Sequence, residues 1–212
     1  MIIVKYCNID IIDDNDIPYY LGKLPVFMQN EILRYKYVRD QKSRLLSRLM
    51  LQESLEDTGS HTALLNWKRN ANHKPVIDNW NAFNISHDSD LAVFAYTTGN
   101  TVGIDIEKRE NISYQEIIDH FHPEEQEFIK TATDPENSFY RIWVKKEALL
   151  KALGTGIVNG LNDFSCVRNV EEYQGNHWHL KELKIHSDYV CYLCHSDYDE
   201  KIIIQEFKCP DI

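Results

Sequence analysis

The sequence has little of what marks out the specialised classes of protein. No apolar run approaches the length of a membrane span, and the opening MIIVKYCNIDIIDDND has neither a basic start nor a long apolar stretch behind it. It reads as a first strand in a cytoplasmic protein. Cysteine is scarce and odd in number, five scattered over 212 residues, which argues against a disulfide framework and for reduced thiols. No Pro/Gly/Ser-rich linker and no internal repeat divide the chain, so any two domains should pack closely. Basic residues are outnumbered, 23 Lys and Arg against 33 Asp and Glu, for a net charge of −10. A broad nucleic-acid surface needs a basic stripe that this composition lacks, so neither nucleic acid nor membrane is an expected partner.

What is present suffices for a core. The chain is 43% hydrophobic and long enough for one large or two small domains. Its charge is uneven. Residues 1–100 carry 11 basic and 12 acidic side chains, and 101–212 carry 12 and 21. Between Arg34 and Lys74 stand nine basic residues, among them Lys42, Arg44, Arg48 and Lys74, against four acidic ones. This island is either the solvated face of a helix or an anion site for a phosphorylated ligand.

Periodicity and punctuation predict a strand at 1–7, an acidic turn at 8–18, and a long helix or helix pair across 26–56. Strands follow at about 81–86, 90–97 and 101–107, the last two joined through TTGN. Ser113 and Glu116 have capping-box spacing, and Pro123 should start a helix. Asp134, Pro135 and Gly154 punctuate both ends of a helix over 134–153. The remainder, about 164–207, alternates like strands. The chain is therefore expected to be α+β, in two halves of similar size, 1–100 and 101–212.

The chemistry centres on TVGIDIEKRE, residues 101–110. Alternation on a strand sends Ile104 and Ile106 to one face and Asp105 and Glu107 to the other. Two such carboxylates raise each other's pKa unless a cation or hydrogen-bond donors hold them ionised. In the 134–153 helix, Phe139, Ile142, Trp143, Leu149, Leu150 and Leu153 form the apolar stripe, and Tyr140, Val144, Glu147 and Lys151 run beside it. Lys146 falls within the apolar stripe and needs a carboxylate partner or a route to solvent. Glu147 added to Asp105 and Glu107 would make a three-acid Mg²⁺ site with open positions for phosphate oxygens, and Lys151, one turn on, would face the phosphate.

At these residues the sequence resembles a family. VGIDIEK and WVKKEALLK look like the two signature motifs of the 4′-phosphopantetheinyl transferases of the surfactin-synthetase-activating (Sfp-like) type. NHKPVIDNWNAFNISHDSDLAVFAY looks like that family's upstream Lys-Pro and Phe-Asn-x-Ser-His motif. The resemblance implies two similar α+β subdomains packed with pseudo-twofold symmetry, the active site at their interface. It also implies transfer of 4′-phosphopantetheine from coenzyme A to a serine of an apo acyl or peptidyl carrier protein, with release of adenosine 3′,5′-bisphosphate. By carry-over, Asp105, Glu107 and Glu147 would ligate Mg²⁺, with Mn²⁺ as the alternative ion. Lys151 would act on the pyrophosphate and the leaving phosphate, and Lys74, Pro75, Ser86 and His87 would line the nucleotide pocket. The serine's base stays open among Glu147, Glu107 and water. Arg44 is the first candidate for the coenzyme A 3′-phosphate, with Lys42 and Arg48 as competitors. The resemblance implies a monomer, and an acidic carrier would dock through an apolar or locally basic patch.

The sequence departs from the family at His73, where glycine is usual. Two other functions compete: a Mg²⁺-dependent phosphodiesterase or nuclease, and a coenzyme A-binding module without catalysis. CYLC (191–194), with no second pair, reads as buried strand rather than as a zinc or redox site. HWH (177–179) reads as exposed histidines, and Gly154 and Gly156 as a helix cap and turn.

Overall fold

The structure is a computed structural model, which describes residues 1–110, 113–156, 161–198 and 200–210. The first half runs β1 (Ile2–Asn8), α1 (Ile17–Leu21), α2 (Val26–Leu33), α3 (Val38–Asp57), β2 (Trp67–Arg69), β3 (Pro75–Ile77), β4 (Ala82–Asp88) and β5 (Leu91–Thr97). The second runs β6 (Val102–Lys108), α4 (Gln115–Ile118), α5 (Pro123–Thr131), α6 (Pro135–Leu153), β7 (Val170–Tyr173), β8 (Asn176–Glu182), β9 (Tyr189–His195) and β10 (Ile202–Glu206).

Two four-stranded sheets result, in the orders β10-β1-β5-β4 and β6-β9-β8-β7, with β2 and β3 forming a separate ribbon. Both are built alike. In each, the half's first strand pairs with the second strand of a hairpin, β1 with β5 of β4-β5 and β6 with β9 of β8-β9. One strand crosses between halves. β10 lies parallel to β1, Ile2 opposite Ile202, so the sheet of the first half is completed by the end of the chain.

Burial follows strand parity. Ile2 and Val4 of β1, Val93 and Ala95 of β5, Val102, Ile104 and Ile106 of β6, and Cys191 and Leu193 of β9 form one apolar layer between the sheets. The opposite faces pack on helices: Phe94 and Tyr96 with Leu45, Leu49 and Met50 of α3, and Tyr192 and Cys194 with Phe139, Leu149 and Leu150 of α6. The layers run helix, sheet, sheet, helix, an α+β arrangement in which the strands have hydrophobic residues on both faces. The spacing of Cys191 and Cys194 is explained by this. Three residues apart on a strand, their thiols point to opposite faces, and both are buried and free.

The helix ends agree with the sequence, apart from one. Asp134 accepts from the Asn137 amide at the start of α6, and Gly154 ends it at φ 70°, a left-handed conformation that favours glycine. The expected box at Ser113 is not formed, since α4 begins after Tyr114 with no side-chain cap and Ser113 Oγ turns to Gln115. The box lies at α5 instead, where the Glu125 carboxylate accepts from the His122 amide and His122 Nδ1 accepts from the Glu124 amide. Among the described residues, no helix is long and apolar enough to cross a membrane.

Candidate active site

The two halves meet edge to edge where β4 runs beside β6. The strands form no ladder, and side chains of β4 serve the open edge of β6 instead. The Ile104 amide donates to Asn84 Oδ1 at 2.9 Å and the Lys108 amide to Asp88 Oδ2 at 2.7 Å. Between these two clamps lies Asp105, 3% exposed. Ser86 of β4 donates its hydroxyl to Asp105 Oδ1 at 2.9 Å, and Lys151 of α6 donates to the same oxygen at 2.5 Å and to Ser86 Oγ at 2.9 Å. Three elements from both halves thus converge on one carboxylate oxygen.

Helix α6 comes this close because of Gly103. A Cβ there would stand 2.1 Å from the Ala148 carbonyl oxygen and 2.4 Å from the Ala152 amide nitrogen, so strand and helix touch backbone to backbone. Tyr140 and Val144 are accordingly buried, and the buried face of α6 is wider than the predicted stripe. Glu147 and Lys151 project beside this contact.

The cluster is rich in negative charge and poor in donors. Asp105 Oδ2 and Glu147 Oε1 are buried and have no hydrogen-bond partner among the described residues. Burial pushes the Asp105 carboxyl up against the pull of Lys151, and burial and the Asp105 charge push Glu147 up. Glu107, whose Oε1 accepts from Trp143 Nε1 at 3.3 Å, is raised to about 7 by burial and by the charges of Asp105 and Asp88. Among the described residues, no three His, Cys, Asp or Glu side chains are gathered as they stand into a set that could hold a metal ion. The donor set still fits a hard divalent cation. It is all carboxylate oxygen, and its two unpartnered buried oxygens need what a cation supplies.

Two clefts flank Lys74 and Pro75. The larger, about 470 Å³, is lined by Asn70, Trp80, Phe83 and Asn100 and, among the described residues, by no carboxylate. The smaller, about 220 Å³, is lined by His73, Lys74, Pro75, Asn84, Glu147 and Lys151. Glu147 and Lys151 thus line the smaller one. Lys74 lines it with its stem, while its ammonium turns inward to the carbonyls of Lys151 (2.6 Å), Val102 (3.4 Å) and Ala152 (3.5 Å). Burial lowers its pKa to about 8. Lys74 therefore ties the end of α6 to the start of β6. His73 takes φ 61°, a region that favours glycine, and the Asn70 side chain braces the turn by accepting from the Asn72 and Lys74 amides.

The basic island resolves into residues with different partners. Lys42 pairs with Asp14 at 2.5 Å. Arg48 is buried beside Glu31 and the Trp67 ring. Arg44 stacks its guanidinium 3.5 Å from the centroid of Tyr35, with an ion pair of 3.8 Å to Asp40. Its charge reaches His87: burial, then Arg44 and Lys151, hold that imidazole down at about 4.

Two lysines next to the site are engaged in structure. Lys146, fully buried, pairs with Glu125 at 2.8 Å and donates to the Leu161 and Phe164 carbonyls at 2.7 and 2.6 Å. Lys145, which the sequence did not single out, donates to the carbonyls of Cys166, Val167 and Arg168. Its only signal was its place beside Lys146. Together they anchor an irregular segment on which α6 rests.

The comparisons with known proteins agree on one family. The model of the 4′-phosphopantetheinyl transferase superfamily matches residues 101–194, and that of the 4′-phosphopantetheinyl transferase N-terminal region matches 16–99. The chain is 35% identical to a putative 4′-phosphopantetheinyl transferase of Haemophilus influenzae over 69% of its length and 60% of that protein's. It is 31% identical to the 4′-phosphopantetheinyl transferase gsp of Aneurinibacillus migulanus, over 66% of this chain and 60% of that one. It is 32% identical to the mouse L-aminoadipate-semialdehyde dehydrogenase-phosphopantetheinyl transferase, over 61% and 48%. The chain thus spans about half to three fifths of the length of these relatives. Among solved structures, the Thermotoga maritima holo-[acyl-carrier-protein] synthase aligns over 44% of this chain and 61% of its own, at 20% identity and a TM-score of 0.35.

Proposed function

The chain belongs to the 4′-phosphopantetheinyl transferase superfamily, and from that premise we propose that it moves 4′-phosphopantetheine from coenzyme A to a serine hydroxyl of an apo acyl or peptidyl carrier protein. The serine oxygen forms a bond to the phosphorus that carries pantetheine, the bond from that phosphorus to the bridging oxygen breaks, and adenosine 3′,5′-bisphosphate leaves with the electron pair.

The observation that carries this reading is the meeting of Ser86, Asp105 and Lys151 at 2.5–2.9 Å, with Glu147 lining the cleft that Lys151 also lines. Phosphoryl transfer depends on positioning and on neutralising charge at phosphate oxygens. Asp105, Glu107 and Glu147 would hold Mg²⁺, which supplies charge neutralisation at the pyrophosphate when bound. Lys151 exchanges Asp105 for a phosphate oxygen and stabilises the charge that develops on the leaving phosphate. Glu147 takes the serine proton, because it lines the cleft and its buried Oε1 is engaged by no described donor. Arg44 and His87 receive the 3′-phosphate. Lys42 and Arg48 do not, being engaged by Asp14 and Glu31. Lys74 and Pro75 wall the nucleotide pocket, with the Lys74 ammonium holding Lys151 rather than ligand. Both halves of the site come from one chain, which supports action as a monomer, and the five free cysteines support a reducing, cytoplasmic setting.

Intact-protein mass spectrometry of an apo carrier incubated with the protein, coenzyme A and Mg²⁺ tests the reading. A gain of one phosphopantetheine mass, abolished by EDTA, is expected. No gain on either an acyl or a peptidyl carrier, from protein that binds coenzyme A, would overturn it in favour of a binding module.

A further inference from the structure

The outer face of α2, apart from the exposed Asn30 at its centre, is apolar where a surface helix should be polar. At 100° per residue, Val26, Phe27 and Leu33 fall within one third of the helix circumference, opposite the buried Met28 and Ile32. Val26 is 68% exposed and Leu33 53%, and Tyr37 and Val38, at the start of α3, continue the patch at 64% and 42%. This is the densest group of exposed large hydrophobics among the described residues, and such patches mark interaction sites.

Its charge is opposite to that of the chain. From Lys23 to Arg39 there are four basic residues (Lys23, Arg34, Lys36, Arg39) and one acidic one, Glu31, a balance of +3 in a protein of −10. Glu31 is taken by Arg69 and Arg48 on the inner side. Arg34 and Lys36 are exposed and form no ion pair with a described residue. The patch also adjoins the site. Arg39 pairs with Asp90, which lies 3.5 Å from Lys108, the neighbour of Glu107, and Tyr35 lies under Arg44.

We infer that the α2 face, with Tyr37 and Val38, is the docking surface for the carrier protein, taking an amphipathic helix with an apolar stripe flanked by carboxylates. This inference rests on the transferase reading and adds the surface that presents the serine to it. Charge complementarity favours this occupant. A second copy of the chain carries the same basic rim, and a net charge of −10 opposes an anionic membrane.

The test compares wild type with Leu33→Glu, Val26→Glu and Lys36→Glu, all exposed positions whose change should leave folding intact. The carrier KM should rise tenfold or more in Leu33→Glu and Val26→Glu and less in Lys36→Glu, with KM for coenzyme A and Tm unchanged. Direct calorimetric binding of apo carrier should weaken in parallel. An unchanged carrier KM and affinity would overturn the inference. So would loss, in the variants, of concentration-dependent self-association or of binding to phosphatidylserine vesicles with carrier affinity intact, because the face would then belong to a second copy or a membrane. Carrier bound by wild type without transfer, and released by these substitutions, would keep the docking surface and remove the transferase reading.

Discussion

Gly103 and Ala148 touch backbone to backbone, with 2.1 Å between the Ala148 carbonyl oxygen and the point where a Gly103 Cβ would stand. Ala148 follows Glu147, and Ala152, the second residue in the contact, follows Lys151. The closest approach of β6 to α6 therefore sets the spacing between the strand carboxylates and the helix groups that act with them. Gly103→Ala should push α6 outward. Overpacking of this kind costs about 1–3 kcal/mol of stability. Misplacement of reacting groups by an ångström can cost about 100-fold in rate. Turnover together with urea unfolding checks this, and a Gly103→Ala enzyme of normal rate would show that the contact does not set the geometry.

Lys74 and Lys151 are joined through the Lys151 carbonyl, which accepts from the Lys74 ammonium at 2.6 Å. Lys74→Met keeps the stem and removes the ammonium from three carbonyls. Losing a charged hydrogen-bonding group should cost about 1.5–3 kcal/mol of stability. The expected kinetic outcome is a fall in kcat larger than the rise in KM for coenzyme A. The reverse, a high KM with kcat kept, would make Lys74 a ligand.

The three carboxylates carry the metal prediction. Glu147→Gln and Asp105→Ala should abolish transfer and leave a folded protein. Mg²⁺ should raise the Tm of the wild type by binding the folded state and should leave that of both variants unmoved. A Glu147→Gln enzyme with near-normal turnover would remove Glu147 from both of its proposed roles.

Much of this was legible in the sequence because it is local. Alternation in VGIDIEK fixed which side Asp105 and Glu107 take, and Asp134 and Gly154 bounded α6. What was not legible depends on contacts between distant segments. Nothing in Ile202–Glu206 says that it pairs with β1 rather than with its neighbours in the chain. The lysine in the apolar stripe announced that Lys146 needs a partner, but not that the partner is Glu125, 21 positions earlier, nor that Lys145 closes three further carbonyls. The motif around Lys74 implied a wall of the nucleotide pocket; Lys74 does line a cleft, while the direction of its ammonium is set by the carbonyls at the end of α6.

Lys146 and Glu125 are both fully buried, and Glu125 also accepts from the Cys166 and His122 amides. Removing one member of such a pair strands a charge and should cost about 3–5 kcal/mol. Lys146→Met is expected to fall in that range by urea unfolding, and Lys146→Met combined with Glu125→Gln should recover part of the loss, since the amide oxygen still accepts a backbone donor. A double variant no better than the sum of its singles would mean that the two groups are not coupled.

His87 gives the pH prediction. In the folded protein its imidazole is held at about 4, by burial first and then by Arg44 and Lys151. An unfolded chain has it near its ordinary value of about 6.5. Between these values the unfolded state binds more protons, so the stability contributed by a neutral His87 is present in full above about 6.5 and is lost as pH falls toward 4. The interval corresponds to at most about 3 kcal/mol. His87→Gln should therefore lose less stability than the wild type on going from pH 7 to pH 4.5, measured by urea unfolding with carboxylate effects common to both proteins. A bound phosphate would favour the charged ring, so coenzyme A binding near pH 6 should take up protons in the wild type and fewer in His87→Gln. Equal proton uptake in the two proteins would separate His87 from the ligand and leave its low pKa a property of packing alone.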